Sequence, residues 1–259
     1  MTDPNRLRGI FGEDAELYDR CRPGYPREVV ADLASLAGPG ARVLEIGSGT
    51  GQATLPMTRL GWAVTGVELD ANMAAVARRN APEADVVVSA FEDWEPPATP
   101  FDLVVAATAF HWVDPEVRVV KAADVLRPGG SLVVISTHHV LGGTEEFFTA
   151  AQRCYERFDP ATPPDLRLEP SSAIPEDSAE FDDSGRFGPV SFRRHEWELT
   201  YTAAGYLDLL STYSGHRALP ADARDGLFRC IAGLIDDRHG GRITKRFMTQ
   251  LAITARGSR

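Results

Sequence analysis

The ten residues Val43-Leu44-Glu45-Ile46-Gly47-Ser48-Gly49-Thr50-Gly51-Gln52 restrict this chain more than any other stretch. An apolar run passes directly into three glycines spaced G-x-G-x-G and then into a helical pattern, which reads as strand, tight turn and helix. Glycine supplies positive φ at such a turn and lets the backbone close on a ligand. The surrounding residues agree. Short apolar runs at 42–46, 63–68, 84–89, 101–106 and 131–136 alternate with helical stretches, the pattern of βαβ units and a parallel sheet buried on both faces. Gly61 ends the helix after Gly51, and Asn80-Ala81-Pro82 ends the one that begins near Asn72. Right-handed crossovers place the carboxyl ends of these strands on one edge, where an open α/β sheet binds its ligand.

After Thr137 the alternation fails. A helix is predicted over 143–158, then a loop over 159–188 rich in Pro, Ser, Asp and Glu that reads as a lid, then a strand over 190–200. Helices over 203–212 and 220–237 precede a last strand over 243–254. A chain of 259 residues, 43% of them hydrophobic, can bury one sizeable core with an embellishment. The expected fold is α/β: a Rossmann-like, doubly wound, seven-stranded sheet with a C-terminal antiparallel strand, an N-terminal helical flap and a cap insertion. One domain is expected, divided into a flap over 1–40, a core over 41–137, a cap over 138–188 and C-terminal strands and helices over 189–259.

The formal net charge of -10 opposes the phosphate backbone, whose binding depends on Lys and Arg, so no nucleic-acid partner is expected. Cys21, Cys154 and Cys230 are widely spaced and odd in number, which suggests neither a disulfide framework nor a metal site and points to a reducing cytoplasm. No apolar run is long enough for a secretory signal or a membrane span, so no membrane partner is expected. The partner expected is a small-molecule substrate, bound by a monomer or homodimer.

A dinucleotide fingerprint is G-x-G-x-x-G with pyrophosphate on the helix N-terminus. Here the third glycine falls one residue early, and Glu45 stands just before the turn, where it would repel phosphate and suit an amino group. The run Val64-Thr65-Gly66-Val67-Glu68 ends the second strand on a carboxylate, in the place where an acid accepts both ribose hydroxyls. A ribose carrying a cationic amino-acid tail describes S-adenosylmethionine.

The ordered runs VLEIGSGTGQAT, VTGVELDANM, SAFEDW, FDLVVAATAFHWVD and VLRPGGSLVVIS resemble the motifs of class I S-adenosylmethionine-dependent methyltransferases. The opening Phe11-x6-Tyr18-Asp19-x2-Arg22-Pro23-Gly24-Tyr25-Pro26 and the pair His111-Trp112 resemble the branch of trans-aconitate and ubiquinone-biosynthesis methyltransferases. The resemblance implies that Gly47, Ser48, Gly49 and Gly51 approach the methionine part and that Glu68 holds the ribose. It places Ala90, Phe91 and Glu92 near the adenine, with Leu69 and Met73 flanking it. Tyr18 and Arg22 would approach the sulfonium end and the carboxylate, and S-adenosylhomocysteine would be the product.

Methyl transfer asks for in-line alignment, exclusion of water and sometimes removal of a proton. Ala107, Thr108 and His111 follow the fourth strand at the ligand edge. His111 is the candidate general base, or else a residue that shapes the pocket; Tyr18 is the second catalytic candidate. Trp112, His138 and His139 are candidate substrate contacts, and no metal is expected, since no Cys, Asp or Glu stands at ligand spacing from the histidine pair. Arg153 and Arg157 share one helix face, while Trp197, Tyr206 and Tyr213 suit either a pocket wall or a core. Relatives of this fold that decarboxylate or cyclise, and a non-catalytic S-adenosylmethionine-binding protein, are the alternatives.

Overall fold

The computed structural model describes residues 11–257, so the first ten residues of the expected flap lie outside the described residues. In chain order the elements are α1 (Ala15–Cys21), α2 (Arg27–Ala34), β1 (Arg42–Ile46), α3 (Thr54–Arg59), β2 (Ala63–Glu68), α4 (Ala71–Asn80), β3 (Asp85–Val88) and β4 (Phe101–Ala107). There follow α5 (Pro115–Val125), β5 (Leu126–Gly143), α6 (Glu145–Phe158), α7 (Ala179–Ser184), β6 (Ser191–Thr202), α8 (Ala203–Ser211), α9 (Ser214–Arg217), α10 (Ala221–Arg238) and β7 (Arg242–Ala255). The seven strands form one sheet in the order β3-β2-β1-β4-β5-β7-β6. The first five run parallel through their pairings. Gly129 pairs with Arg256 and Thr144 with Thr244, so β7 descends as β5 rises and lies antiparallel to it. The doubly wound sheet with a C-terminal antiparallel strand is therefore present as expected.

The chain divides into two compact units. The sheet unit holds residues 23–137, 176–195 and 249–257. Its strands bury both faces, and the alternation of side chains shows why. Leu44, Ile46, Val104, Ala106 and Leu132 enter one core cluster, while Val43, Leu103, Val105, Val133 and Ile135 enter the other. The second cluster is covered by α2 through Val29 and Leu33, and the first by α5 through Val119, Ala122 and Val125. Each fully buried aliphatic side chain contributes roughly 1.5–3 kcal/mol. Helix starts are chemically marked: Asp70 accepts from the Asn72 and Met73 amides, and Asp114 accepts from the Glu116 amide ahead of Pro115 in the first turn.

The helical unit holds residues 11–22, 138–175 and 196–248. Phe147, Leu209, Leu227, Ile231 and Ile235 make its core, joining α6, α8 and α10. The cap expected over 138–188 divides between the units after Pro175, and the expected flap divides after Arg22. The segment expected as an unbroken loop carries a short 3-10 turn at Ser171–Ala173 and the helix α7, whose Phe181 is buried.

One expectation is corrected. Cys154 on α6 and Cys230 on α10 are joined as a disulfide with Cα atoms 5.9 Å apart. Their separation of 76 residues hides the pairing from the sequence, because it depends on two helices packing. With that bond formed, the cysteines no longer point to a reducing compartment. Among the described residues, no helix is long and apolar enough to cross a membrane.

Candidate functional site

In the sheet unit the strand order reverses beside β1: β2 and β3 lie to one side, β4 and β5 to the other. The loops that follow β1 and β4 are thus neighbours at the carboxyl edge, the switch point where ligands bind such sheets. Gly47 sits at φ +71, and a Cβ there would stand 2.5 Å from the Ala109 Cβ of the β4 loop. Any other residue would both strain the turn and separate the two loops. Gly51, at φ +99, lets the loop lie against Ala77 of α4, and Asn80 donates from Nδ2 to the Thr50 carbonyl at 2.9 Å.

Glu68 fastens this loop. Its Oε2 accepts the Gly49 amide at 2.8 Å and its Oε1 accepts the Asp70 amide at 3.0 Å. A carboxylate oxygen has two lone pairs, so each oxygen can still receive a hydroxyl. Glu45 is 1% exposed, and its Oε2 accepts the Thr54 hydroxyl at 2.5 Å. Burial, and secondarily the Glu68 charge, push the Glu45 carboxyl up to about 8 against the Thr54 hydrogen bond, which lowers it. Burial also raises Glu68, opposed by the amides it accepts. Among the described residues neither acid has an ion-pair partner, so this edge holds two partly desolvated carboxyls and no compensating cation.

Ser48 is buried in the turn and its hydroxyl lacks a partner. Met73 is buried, with its Cε 3.9 Å from where a Cβ on Gly49 would lie. Leu69 is exposed directly after β2, and Val88, paired in register with Glu68, is exposed at the end of β3. Ala90 is half-buried. Phe91 is not free to face a ligand: it is buried in the core, 6.3 Å from Trp94 between ring centroids, with the Lys121 ammonium over its ring. Glu92 accepts the Asp114 amide at 3.0 Å, tying it to the start of α5.

The β4 loop is anchored by Tyr25, to which the sequence motifs assign no role. Tyr25 Oη lies 3.0 Å from Thr108 Oγ1, and Thr108 has φ 57, an unusual value for a non-glycine residue. Ala107 ends β4. His111 lies on the 3-10 turn Phe110–Trp112, exposed, its ring 4.9 Å from that of Trp112. Partial desolvation, and then the Arg118 charge, hold its pKa below the ordinary value, so the imidazole is neutral at neutral pH. No described carboxylate hydrogen-bonds it.

Four candidates fall in the helical unit. The Arg22 guanidinium donates to the Thr212 carbonyl at 3.2 Å and lies 4.2 Å from the Tyr213 ring centre and 5.0 Å from that of Tyr18. His138 is half-buried. His139 packs edge-on to Phe148 at 4.5 Å, its Nε2 buried without a partner. Burial drives its pKa down to about 3. His139, Tyr206 and Tyr213 all line a cavity of about 560 Å³ within this unit, whereas Trp197 stacks on Phe247 at 4.5 Å. Among the described residues no group of three or more His, Cys, Asp or Glu is placed to hold a metal.

A family model for a methyltransferase domain matches residues 44–134, the segment that runs from β1 into β5. An uncharacterized methyltransferase of Bacillus licheniformis is 33% identical over 161 residues, covering 60% of this chain and 73% of that protein. An uncharacterized methyltransferase of Mycobacterium tuberculosis is 35% identical over 125 residues, 48% of this chain and 51% of the relative. The chain thus matches about half the length of the mycobacterial relatives. A solved structure from Anaeromyxobacter dehalogenans, described as a type II methyltransferase, superposes with a TM-score of 0.64 at 23% identity over 90% of this chain and 97% of the other. The reversal beside β1, the glycine turn clamped by Glu68 and these likenesses agree, and the chain belongs to the class I S-adenosylmethionine-dependent methyltransferase family.

Proposed function

We propose that the protein transfers a methyl group from S-adenosylmethionine to an oxygen, nitrogen or carbon of a small molecule. The observation that carries this reading is the pair of carboxyls, Glu45 and Glu68, meeting one glycine turn with no cation beside them among the described residues. Such an edge offers no cation to a diphosphate, and its carboxyls, Glu45 ionising as the ligand arrives, suit a ligand bearing an ammonium and ribose hydroxyls. When bound, S-adenosylmethionine supplies a methyl group on a sulfonium, a ready leaving group, and departs as S-adenosylhomocysteine.

The chain's own residues then have distinct tasks. Glu45 meets the amino group and gives up its proton as it does so. Glu68 accepts the ribose hydroxyls on the lone pairs its two amide bonds leave free. Leu69 and Met73 offer apolar surface to the adenine, together with Val88, while Phe91 supports that wall only through its backbone. Neutral His111 accepts a proton where the acceptor carries one, and Trp112 shields it. Tyr18, Arg22, His138 and His139 stay as proposed ligand contacts.

Calorimetric titration with S-adenosylmethionine, S-adenosylhomocysteine and NADH tests the reading. Micromolar binding of the first two and none of the third supports it. Absence of binding by either sulfur ligand makes the glycine loop a structural turn only and removes the proposal.

A further inference from the structure

The helical unit holds a cavity lined by its own residues. Its volume, about 560 Å³, is that of a site for a small organic molecule. Phe148, Tyr155, Tyr206 and Tyr213 give it an aromatic wall. Tyr155 Oη and His216 Nε2 lie 3.0 Å apart and satisfy one another. Lys245 has no such match. The residue is 4% exposed and lines the cavity, yet among the described residues its ammonium makes one hydrogen bond, a long one of 3.5 Å to Tyr213 Oη.

Rings surround that ammonium: Phe247 at 5.1 Å, Tyr213 at 5.5 Å and Tyr206 at 6.0 Å from Nζ. Arg22 is a second cation at Tyr213, its guanidinium over that ring and its Nε buried without a partner. Among the described residues neither cation has a carboxylate within ion-pair distance. Three acids line the cavity, but Asp159 is held by the Ala161 amide and the Thr162 hydroxyl, while Glu145 and Glu169 are exposed to water. His139 adds a second unsatisfied group, its buried Nε2. A buried cation without a counter-ion costs several kcal/mol, a cost a protein keeps where a ligand supplies the missing charge.

We infer that this cavity binds an aromatic anion, a carboxylate or phenolate on a flat apolar body, with Lys245 as its counter-ion and the tyrosine wall against its rings. Burial lowers the Lys245 pKa, and an incoming anion restores it. That this anion is the methyl acceptor rests on the function proposed above; that it binds does not.

The test therefore uses equilibrium binding without any cofactor. The full chain is titrated with 2-naphthoate and with its neutral counterpart 2-naphthamide. Naphthoate is expected to bind about tenfold or more tightly than the amide, the worth of one charge-assisted contact to a buried ammonium. Lys245→Met should bring the two affinities together while leaving naphthamide binding intact, which also reports that the cavity is still formed. Lys245→Arg should keep the preference. Thr149→Trp, which fills the cavity from an exposed position of α6, should abolish both. Equal affinities in the parent protein, binding of neither ligand, a preference that survives Lys245→Met, or naphthoate binding that survives Thr149→Trp would each overturn the inference.

Discussion

Glu45→Gln separates the electrostatics of the cofactor edge from its shape. The amide occupies the volume of the carboxyl, and its oxygen can still accept the Thr54 hydroxyl. What changes is the proton. The folded carboxyl titrates at about 8, against an ordinary value of 4.5. Between those values the folded chain keeps a proton that the unfolded chain has lost, so stability is full below the lower value and falls as pH rises towards the upper one. The slope is roughly 1.4 kcal/mol per pH unit, so about 3 kcal/mol disappears between pH 5.5 and 8. The glutamine variant has no proton to lose at this position, and other titrating groups are largely common to both proteins. Urea unfolding followed by tryptophan fluorescence across that range should show the variant gaining on the parent by about 3 kcal/mol. At pH 7, binding of S-adenosylhomocysteine to the parent should release close to one proton, read from heats in buffers of different ionisation enthalpy, and the variant should release none. Parallel stability curves would refute the assignment of a proton to Glu45.

Glu68→Ala removes a clamp on the Gly49 and Asp70 amides as well as the ribose acceptor, and should weaken S-adenosylhomocysteine binding by roughly 2 kcal/mol or more; unchanged affinity by calorimetry would end its assignment. His111→Ala should lower turnover while cofactor affinity stays near that of the parent, and the activity of the parent should fall as pH drops through the depressed histidine pKa; loss of affinity in step with turnover would mark a structural role. Replacing both Cys154 and Cys230 by Ala opens a 76-residue loop and should cost roughly 4 kcal/mol in unfolding free energy by chain entropy. A thermal midpoint insensitive to both this change and reductant would show that the thiols are unlinked in solution. Protease should first cut the segment from 159 to 170, which is largely exposed, and 2-naphthoate should slow that cut, since Leu166, Arg167 and Leu168 line the cavity; a rate unaffected by the ligand would detach the segment from the site.

The sheet unit was legible because its strands are buried on both faces and punctuated by glycine and proline. The runs 42–46 and 63–68 coincide with β1 and β2, and the acid ending β2 is the residue that fastens the glycine loop. The strand over 131–136 is short of β5, which runs from Leu126 to Gly143, because Arg127-Pro128-Gly129-Gly130 and the histidine pair read locally as turn and loop while β7 holds them in the ladder. The motif marks the place of Phe91 but not its packing: Trp94 and Lys121 enclose its ring.

By itself, then, the order of residues determined the α/β class, the glycine turn, the pair of acids and with them the cofactor, since each depends on neighbours within a few positions and on the period of burial. Tertiary structure alone decided the rest. Cys154 meets Cys230 only because α6 packs on α10, and Lys245 is a buried cation only because rings from α8 and the turn after it close around β7. Such facts turn on which distant side chains share a dielectric, a quantity that has no local signature in a sequence.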